Sequence, residues 1–383
     1  MKTTIPVVPQ HHQLSPTGNT AADRLLFESL SSRHFSLSPG LVRGGLLAPV
    51  FHCSNKMLNN TLVGVGLSVG LGLGVGLGTW WVLRRFSPQL PVKWEEVGEV
   101  SQVNIYLLKS GRGVPLKEAQ TTTYGLAHDT HQDRSFVVMA ADDQRFISGR
   151  QAGKLLLVSL VVEDDTVTLE APGMEEGVKM WKQPLKGVDC GDEVGEWLTK
   201  VLFNGETKVR LLFKGNVMQR RTIPPLGYNF PQYRSTDRLY YADCTGYMLA
   251  TESSLEDLNT RLPFPITMNN FRPNIVVKGS PAYDEDDWAF IRIGSAVFRT
   301  LKPCNRCVMT TVNPQTGERY PNQEPLRTLR SYRLLSNPPE LAKSWSTSPV
   351  FGLSLVIDTT GPIAVGDKVL VARLSTNPHL KIF

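Results

Sequence analysis

From Leu62 to Leu83 the chain runs 22 residues without a charge, built of Leu and Val with seven Gly, one Ser, one Thr and the pair Trp80-Trp81. A helix of that length rises about 33 Å at about 1.5 Å per residue, enough to cross a hydrocarbon core of about 30 Å. Glycine at every second position from Gly70 to Gly78 would weaken a helix in water. In lipid the backbone must satisfy its own hydrogen bonds, and small residues let helices approach closely, so one membrane-spanning helix is the expectation. Arg84-Arg85 follows at once and predicts that the larger C-terminal part faces the cytosol. A buried soluble helix or a glycine-rich linker is the competing reading. No frame of the run fits the dinucleotide-binding pattern G-x-G-x-x-G.

Residues 1–56 carry five Lys or Arg against two acids, which resembles a mitochondrial targeting segment more than a secretory one. The remainder is long enough for two domains, and with 20% charged and 41% hydrophobic residues it is neither wholly disordered nor polytopic. Basic residues exceed acidic ones by only 41 to 35, so charge gives no support to nucleic-acid binding. Five cysteines, an odd and sparse set, indicate a reducing compartment.

Beyond Pro88 the patterns are mostly of period two. Phe136–Met139 with Arg145–Ser148, and Leu155–Val162 with Thr166–Leu169, read as hairpins around Asp142-Asp143 and Asp164-Asp165. One amphipathic helix is predicted on Val194, Trp197, Leu198, Val201 and Leu202, and another on Leu255, Leu258 and Leu262, opened by a capping box from Ser253 to Glu256. The segment Met218–Pro231 reads as a linker. The predicted fold is α+β and β-rich, with a leader (1–56), an anchor (57–86) and two soluble domains (95–215 and 222–383).

The strongest chemical signal is Lys302-Pro303-Cys304-Asn305-Arg306-Cys307. A lone C-x-x-C admits a structural zinc, a thioredoxin-type redox pair, two inert buried thiols or a thiolate metal ligand. Zinc lacks a second ligand pair, and the β-branched run Val308–Val312 predicts a strand where a redox pair wants a helix. Arg272, before Pro273, is expected to be extended, with a fork suited to phosphate or carboxylate; the competing reading is a snorkelling surface cation. Lys109-Ser110-Gly111 supplies a cation, a hydroxyl and backbone N–H groups, the parts of an anion nest, or else a plain basic turn. There is no H-E-x-x-H, G-x-S-x-G or P-loop.

Taken in order, Ile105–Gly113, Asp133-Arg134, Tyr241-Ala242-Asp243, Asn270–Val276, Cys304–Thr311, Leu329–Arg333, Phe351-Gly352 and Val365–Asp367 resemble the mitochondrial amidoxime-reducing components, which belong to the MOSC group. The resemblance covers roughly residues 95–383. It implies a MOSC N-terminal β-barrel-like domain, a C-terminal MOSC β-barrel domain and a molybdenum-molybdopterin cofactor whose metal is held by Cys307. Lys109, Ser110, Arg134, Arg272, Asn274, Asn305 and Arg306 match cofactor-binding positions, and Asp243 matches an acidic residue beside the metal. Cys244 stands where the family shows a hydroxyl. The implied activity is reduction of N-hydroxylated compounds to the N–H form. Electrons would come from cytochrome b5 and its NADH-dependent reductase, since the chain has no flavin, haem or nicotinamide motif, and the place would be the mitochondrial outer membrane. The alternatives are a membrane-anchored MOSC sulfur carrier and a non-enzymatic cofactor-binding or scaffold protein.

Overall fold

Seven strands carry apolar side chains two residues apart, and in each strand these land in one hydrophobic core: Val103 and Ile105 on β1 (Glu95–Ile105), Tyr247 and Leu249 on β2 (Tyr247–Thr251), Ile275 and Val277 on β3 (Ile275–Lys278), Ile291 and Ile293 on β4 (Trp288–Ile293), Ala296 and Phe298 on β5 (Ala296–Asn305), Leu353 and Leu355 on β6 (Val350–Thr359), Val369 and Val371 on β7 (Lys368–Arg373). The strands close into a barrel in the order β3-β2-β6-β5-β4-β7-β1, with β1 pairing back onto β3. Only β2 and β3 run parallel. Closure removes the exposed sheet edge and fills the interior with these side chains. The opposite faces of β2, β3 and β6 pack Met248, Ala250, Val276 and Phe351 against Leu258, Met268, Phe271 and Leu329.

The computed structural model describes residues 2–6, 93–163, 166–170, 179–180, 183–184, 188–215, 221–222 and 230–377. The expected membrane span at 62–83 and nearly all of the leader lie outside them, as does most of the expected linker. Among the described residues no helix is long and apolar enough to cross a membrane. The first barrel strand precedes the linker and the other six follow it. Beside the barrel, Phe136–Ala140 pairs with Phe146–Ile147 as expected, in a four-stranded sheet with Val209–Phe213 and Val188–Asp189. Helix α1 (Asp192–Phe203) buries Val194, Leu198 and Leu202 as its spacing predicts.

Three local expectations are corrected. Gly153–Leu157 is a 3-10 turn, so the second hairpin begins at Ser159 rather than Leu155. Helix α2 (Glu252–Arg261) is capped by Thr251, whose hydroxyl accepts from the Ser254 N–H, because β2 runs directly into the helix without a connecting residue. Val308–Thr311 is a 3-10 turn and not a strand. The Thr310 hydroxyl donates to the Cys307 carbonyl at 2.9 Å and that of Thr311 to the Val308 carbonyl at 2.7 Å, local bonds that outweigh β-branched propensity.

The start of α2 also holds a buried acid. Glu285 is fully buried and accepts from Ser254 Oγ at 2.9 Å and Thr251 Oγ1 at 3.1 Å. Burial, with the Asp286 charge adding to it against the opposing hydroxyl bonds, pushes its carboxyl from the usual 4.5 up to about 7. The folded chain then keeps a proton that the unfolded chain releases. This contribution to stability is complete below pH about 4.5 and is lost as pH rises through about 7, a change on the order of 3 kcal/mol. Glu285→Gln should flatten that slope in denaturation series from pH 4.5 to 8. A slope unchanged in the variant would remove Glu285 as its source.

Candidate cofactor site

The segments that follow β1 and β5 and those that precede β2 and β3 line one cavity of about 620 Å³. All ten side chains singled out in the sequence line it: Lys109, Ser110, Arg134, Asp243, Cys244, Arg272, Asn274, Asn305, Arg306 and Cys307. Lys109 and Ser110 sit just beyond β1, where the Lys109 N–H donates to Phe136 O and the Arg134 N–H to Tyr106 O. These bonds lay the 105–110 segment beside residues 133–136. The N–H groups of Lys109, Gly111 and Arg112 are all taken by backbone carbonyls, so this turn offers a cation and a hydroxyl rather than an amide nest. Gly111 is required there, since a Cβ would stand 2.7 Å from Leu108 Cβ and 2.9 Å from Val158 O.

Tyr106 is a platform for two guanidinium groups, with the Arg272 and Arg134 carbons 4.3 and 4.7 Å from its ring centre. Burial pushes the Tyr106 hydroxyl up to about 12 and Arg272 down to about 10, so near neutral pH the phenol is neutral and the guanidinium charged. The Arg272 backbone corrects the extended conformation expected before proline. It lies at φ +60°, because its N–H closes the 3-10 turn Met268–Asn270 onto Met268 O at 3.2 Å, and its side chain donates to Gly111 O. Ser110 and Arg134 also adopt positive φ, 65° and 48°. Three non-glycine residues at this one cavity thus carry costly backbone conformations, a concentration typical of functional sites.

Asn274 is fully buried with both ends of its amide used: Nδ2 donates to Asn104 O and Asp133 Oδ1, and Oδ1 accepts from Arg134 Nη1 and the Met248 N–H. It therefore serves a ligand by holding Arg134. Asp133, buried, completes this network through an ion pair with Arg134. Burial raises the Asp133 carboxyl above its usual range despite the opposing Arg134 charge. Lys109, itself buried, donates to Asp243 Oδ1 at 2.5 Å and Tyr241 O at 2.9 Å, which fixes a carboxylate whose side chain is 55% exposed. Cys244 is half-buried and packs against the cluster of Phe230, Leu239 and Leu301.

The two cysteines of the pair differ. Cys304 Sγ accepts from Arg306 Nη1 at 2.9 Å, and although burial raises its thiol pKa, the charges of Arg306 and Lys302 and a Ser354 hydrogen bond bring it below the usual value. Cys307, half-buried at the start of the 3-10 turn, makes no side-chain hydrogen bond with any described residue. Both are free thiols, and no three His, Cys, Asp or Glu among the described residues are grouped to hold a metal, so those residues offer no structural-zinc site. Arg306 is held by Phe271 O at 2.8 Å, while its buried Nε has no partner.

Sequence reasoning gave no site role to Lys302, Arg150 or Tyr106, although Lys302 opens the cysteine motif and Tyr106 lies in the run before Lys109. Lys302 is buried, donates to Asn305 Oδ1 at 2.8 Å and lines the cavity. Six basic side chains (Lys109, Arg134, Arg150, Arg272, Lys302 and Arg306) thus face one carboxylate, Asp243, in a space with an orphaned guanidinium N–H and an unengaged thiol. An anionic, acceptor-rich group carrying a thiophilic metal fits that thiol and the five of these cations, all but Arg150, that the protein holds in place.

The barrel and its cavity belong to a defined class of domain. Residues 236–370 match the MOSC domain and residues 97–204 the MOSC N-terminal beta barrel domain. The chain is 39% identical to mitochondrial amidoxime reducing component 2 of Rattus norvegicus and 36% identical to that of Bos taurus, in each case over 75% of this chain and 87% of the relative. It is 34% identical to mitochondrial amidoxime-reducing component 1 of Homo sapiens over 72% of this chain and 83% of that one. The chain belongs to the family of mitochondrial amidoxime-reducing components.

Proposed function

We propose that this chain is a molybdenum-cofactor-dependent reductase that converts amidoximes, hydroxylamines and related N-hydroxylated compounds to their N–H forms. The observation that carries the reading is the pairing, in one cavity, of the unengaged Cys307 thiol with five basic side chains that the protein holds in place, Lys109, Arg134, Arg272, Lys302 and Arg306. When bound, the molybdenum pterin supplies the two-electron chemistry that removes oxygen. Cys307 would hold its metal as the thiolate. Arg134, Arg272, Arg306 and Lys109 would bind its anionic parts, with Tyr106 and Asn274 keeping the first two guanidinium groups in place. Asp243, fixed by Lys109, presents a carboxylate that can orient the substrate's N-hydroxyl group. Electrons would be delivered singly by cytochrome b5 and its NADH-dependent reductase. The relatives' names place them in mitochondria, and the uncharged run 62–83 followed by Arg84-Arg85 supports a single outer-membrane span with the barrel facing the cytosol. Metal analysis of protein purified from cells able to make the cofactor tests the reading: molybdenum near one per chain is expected, and zinc or no metal would sink it.

The buried cations give a second test. Arg272→Ala should lower molybdenum and pterin content per folded chain, because a charge-assisted contact is worth about 1.5–3 kcal/mol, or about ten- to a hundredfold in affinity. Arg272→Lys should restore only part, since an ammonium cannot reproduce the fork or its stacking on Tyr106. Full occupancy in the Ala variant, measured on monodisperse protein, would show that the cation does not hold the cofactor.

A further inference from the structure

We propose that the mouth of this cavity carries an anion subsite centred on Arg150, which binds a carboxylate or phosphate substituent of the substrate. Of the six basic residues lining the cavity, five are engaged: Lys109 by Asp243, Arg134 by Asp133, Arg272 by Gly111 O, Lys302 by Asn305 and Arg306 by Cys304. Arg150 is exposed, and its guanidinium makes no hydrogen bond, ion pair or ring contact among the described residues.

Its backbone, by contrast, is held on several sides. The Arg150 N–H donates to Ser148 Oγ at 3.2 Å, and the N–H groups of Gln151 and Ala152 both donate to Ser148 O at 3.0 Å, which makes 148–152 a closed turn. Arg319 ties that turn to the cysteine segment: Nη2 donates to Arg150 O at 2.8 Å and Nη1 to Val308 O at 3.2 Å. Gly149 lies so close that a Cβ would stand 3.2 Å from Met309 Sδ. The turn therefore fixes the base of a flexible cation beside the residues that follow Cys307, at the open end of the cavity. A rigid base limits the ordering cost when the side chain closes on an anion, and a planar fork suits a carboxylate or phosphate. The single carboxylate lining the cavity, Asp243, is already paired with Lys109 and so does not compete with an entering anion for Arg150.

The inference rests on the reductase reading, and the test separates the two. A neutral aryl amidoxime and the same compound with a para-carboxylate are compared on full-length, cofactor-loaded protein reduced by a viologen dye. Arg150→Ala should raise KM for the carboxylated compound about tenfold, leave kcat and the neutral compound's KM within about twofold, and leave molybdenum and pterin content unchanged. Arg150→Lys should recover part of the loss. Calorimetric titration of both compounds reads the subsite without turnover and should show the same difference, so a parent protein that binds them selectively but reduces neither would defeat only the reductase reading. The proposal is overturned by a fall in cofactor content, which would assign the anion to the cofactor's phosphate. It is equally overturned by the same change for both compounds, or by an effect seen with a protein electron donor and absent with the dye.

Discussion

Cys307→Ala is expected to abolish turnover of N-hydroxylated substrates and empty the site of molybdenum while the thermal midpoint stays near that of the parent. The thiol is the one sulfur of the pair with no hydrogen bond to a described residue, so its removal orphans no buried group. It is half-buried, and its loss should cost about 0.5–1.5 kcal/mol, at the low end for a point substitution. Cys304→Ala should behave differently. Its sulfur holds Arg306 Nη1, so its loss leaves the guanidinium held through Nη2 by Phe271 O alone and should weaken cofactor retention while leaving the retained fraction active. A redox pair would demand equal loss from both substitutions, and inert thiols would demand none. Turnover, metal content and thermal midpoint on the two variants decide the matter; active Cys307→Ala protein would overturn the assignment.

Much of this site was legible because the family's short runs survive in order in the chain, and the fold brings several of them to one cavity. The strands themselves show in the sequence as apolar pairs two residues apart, such as Ile291 and Ile293 or Val369 and Val371. Closure of the barrel is not legible in the same way. Val103 pairs with Ile275, 172 positions later, and no local pattern encodes that partnership. Local chemistry also misleads where side chains bond their own backbone. The β-branched run after Cys307 folds as a tight turn because two threonine hydroxyls satisfy carbonyls there, and Arg272 takes a positive φ because its N–H ends a turn. Arg150 and Lys302 were given no role for a simpler reason. A single cation carries no periodicity, and only the folded chain shows whether it meets a partner, a cavity or solvent.

The network beneath the cations sets the largest expected effect on stability. Asn274→Ala takes a partner from several buried groups at once: the Met248 N–H and the Asn104 carbonyl lose their bonds to the amide, while Asp133 Oδ1 keeps the Tyr106 N–H and Arg134 keeps Asp133. Each orphaned buried group costs about 1–3 kcal/mol, less whatever water or a shifted neighbour returns, so a net loss of about 3–5 kcal/mol is expected. For a folded part of this size that is on the order of 10 °C in thermal midpoint. Asn274→Asp tests the same network by charge, because it keeps the acceptor for Arg134 and the Met248 N–H but sets a second carboxylate against buried Asp133. Its penalty should shrink on acidification, as one of the two carboxyls takes up a proton and donates to the other. If Asn274→Ala lost its cofactor with an unmoved thermal midpoint, the amide would be binding the cofactor directly, and the support it gives Arg134 would be secondary.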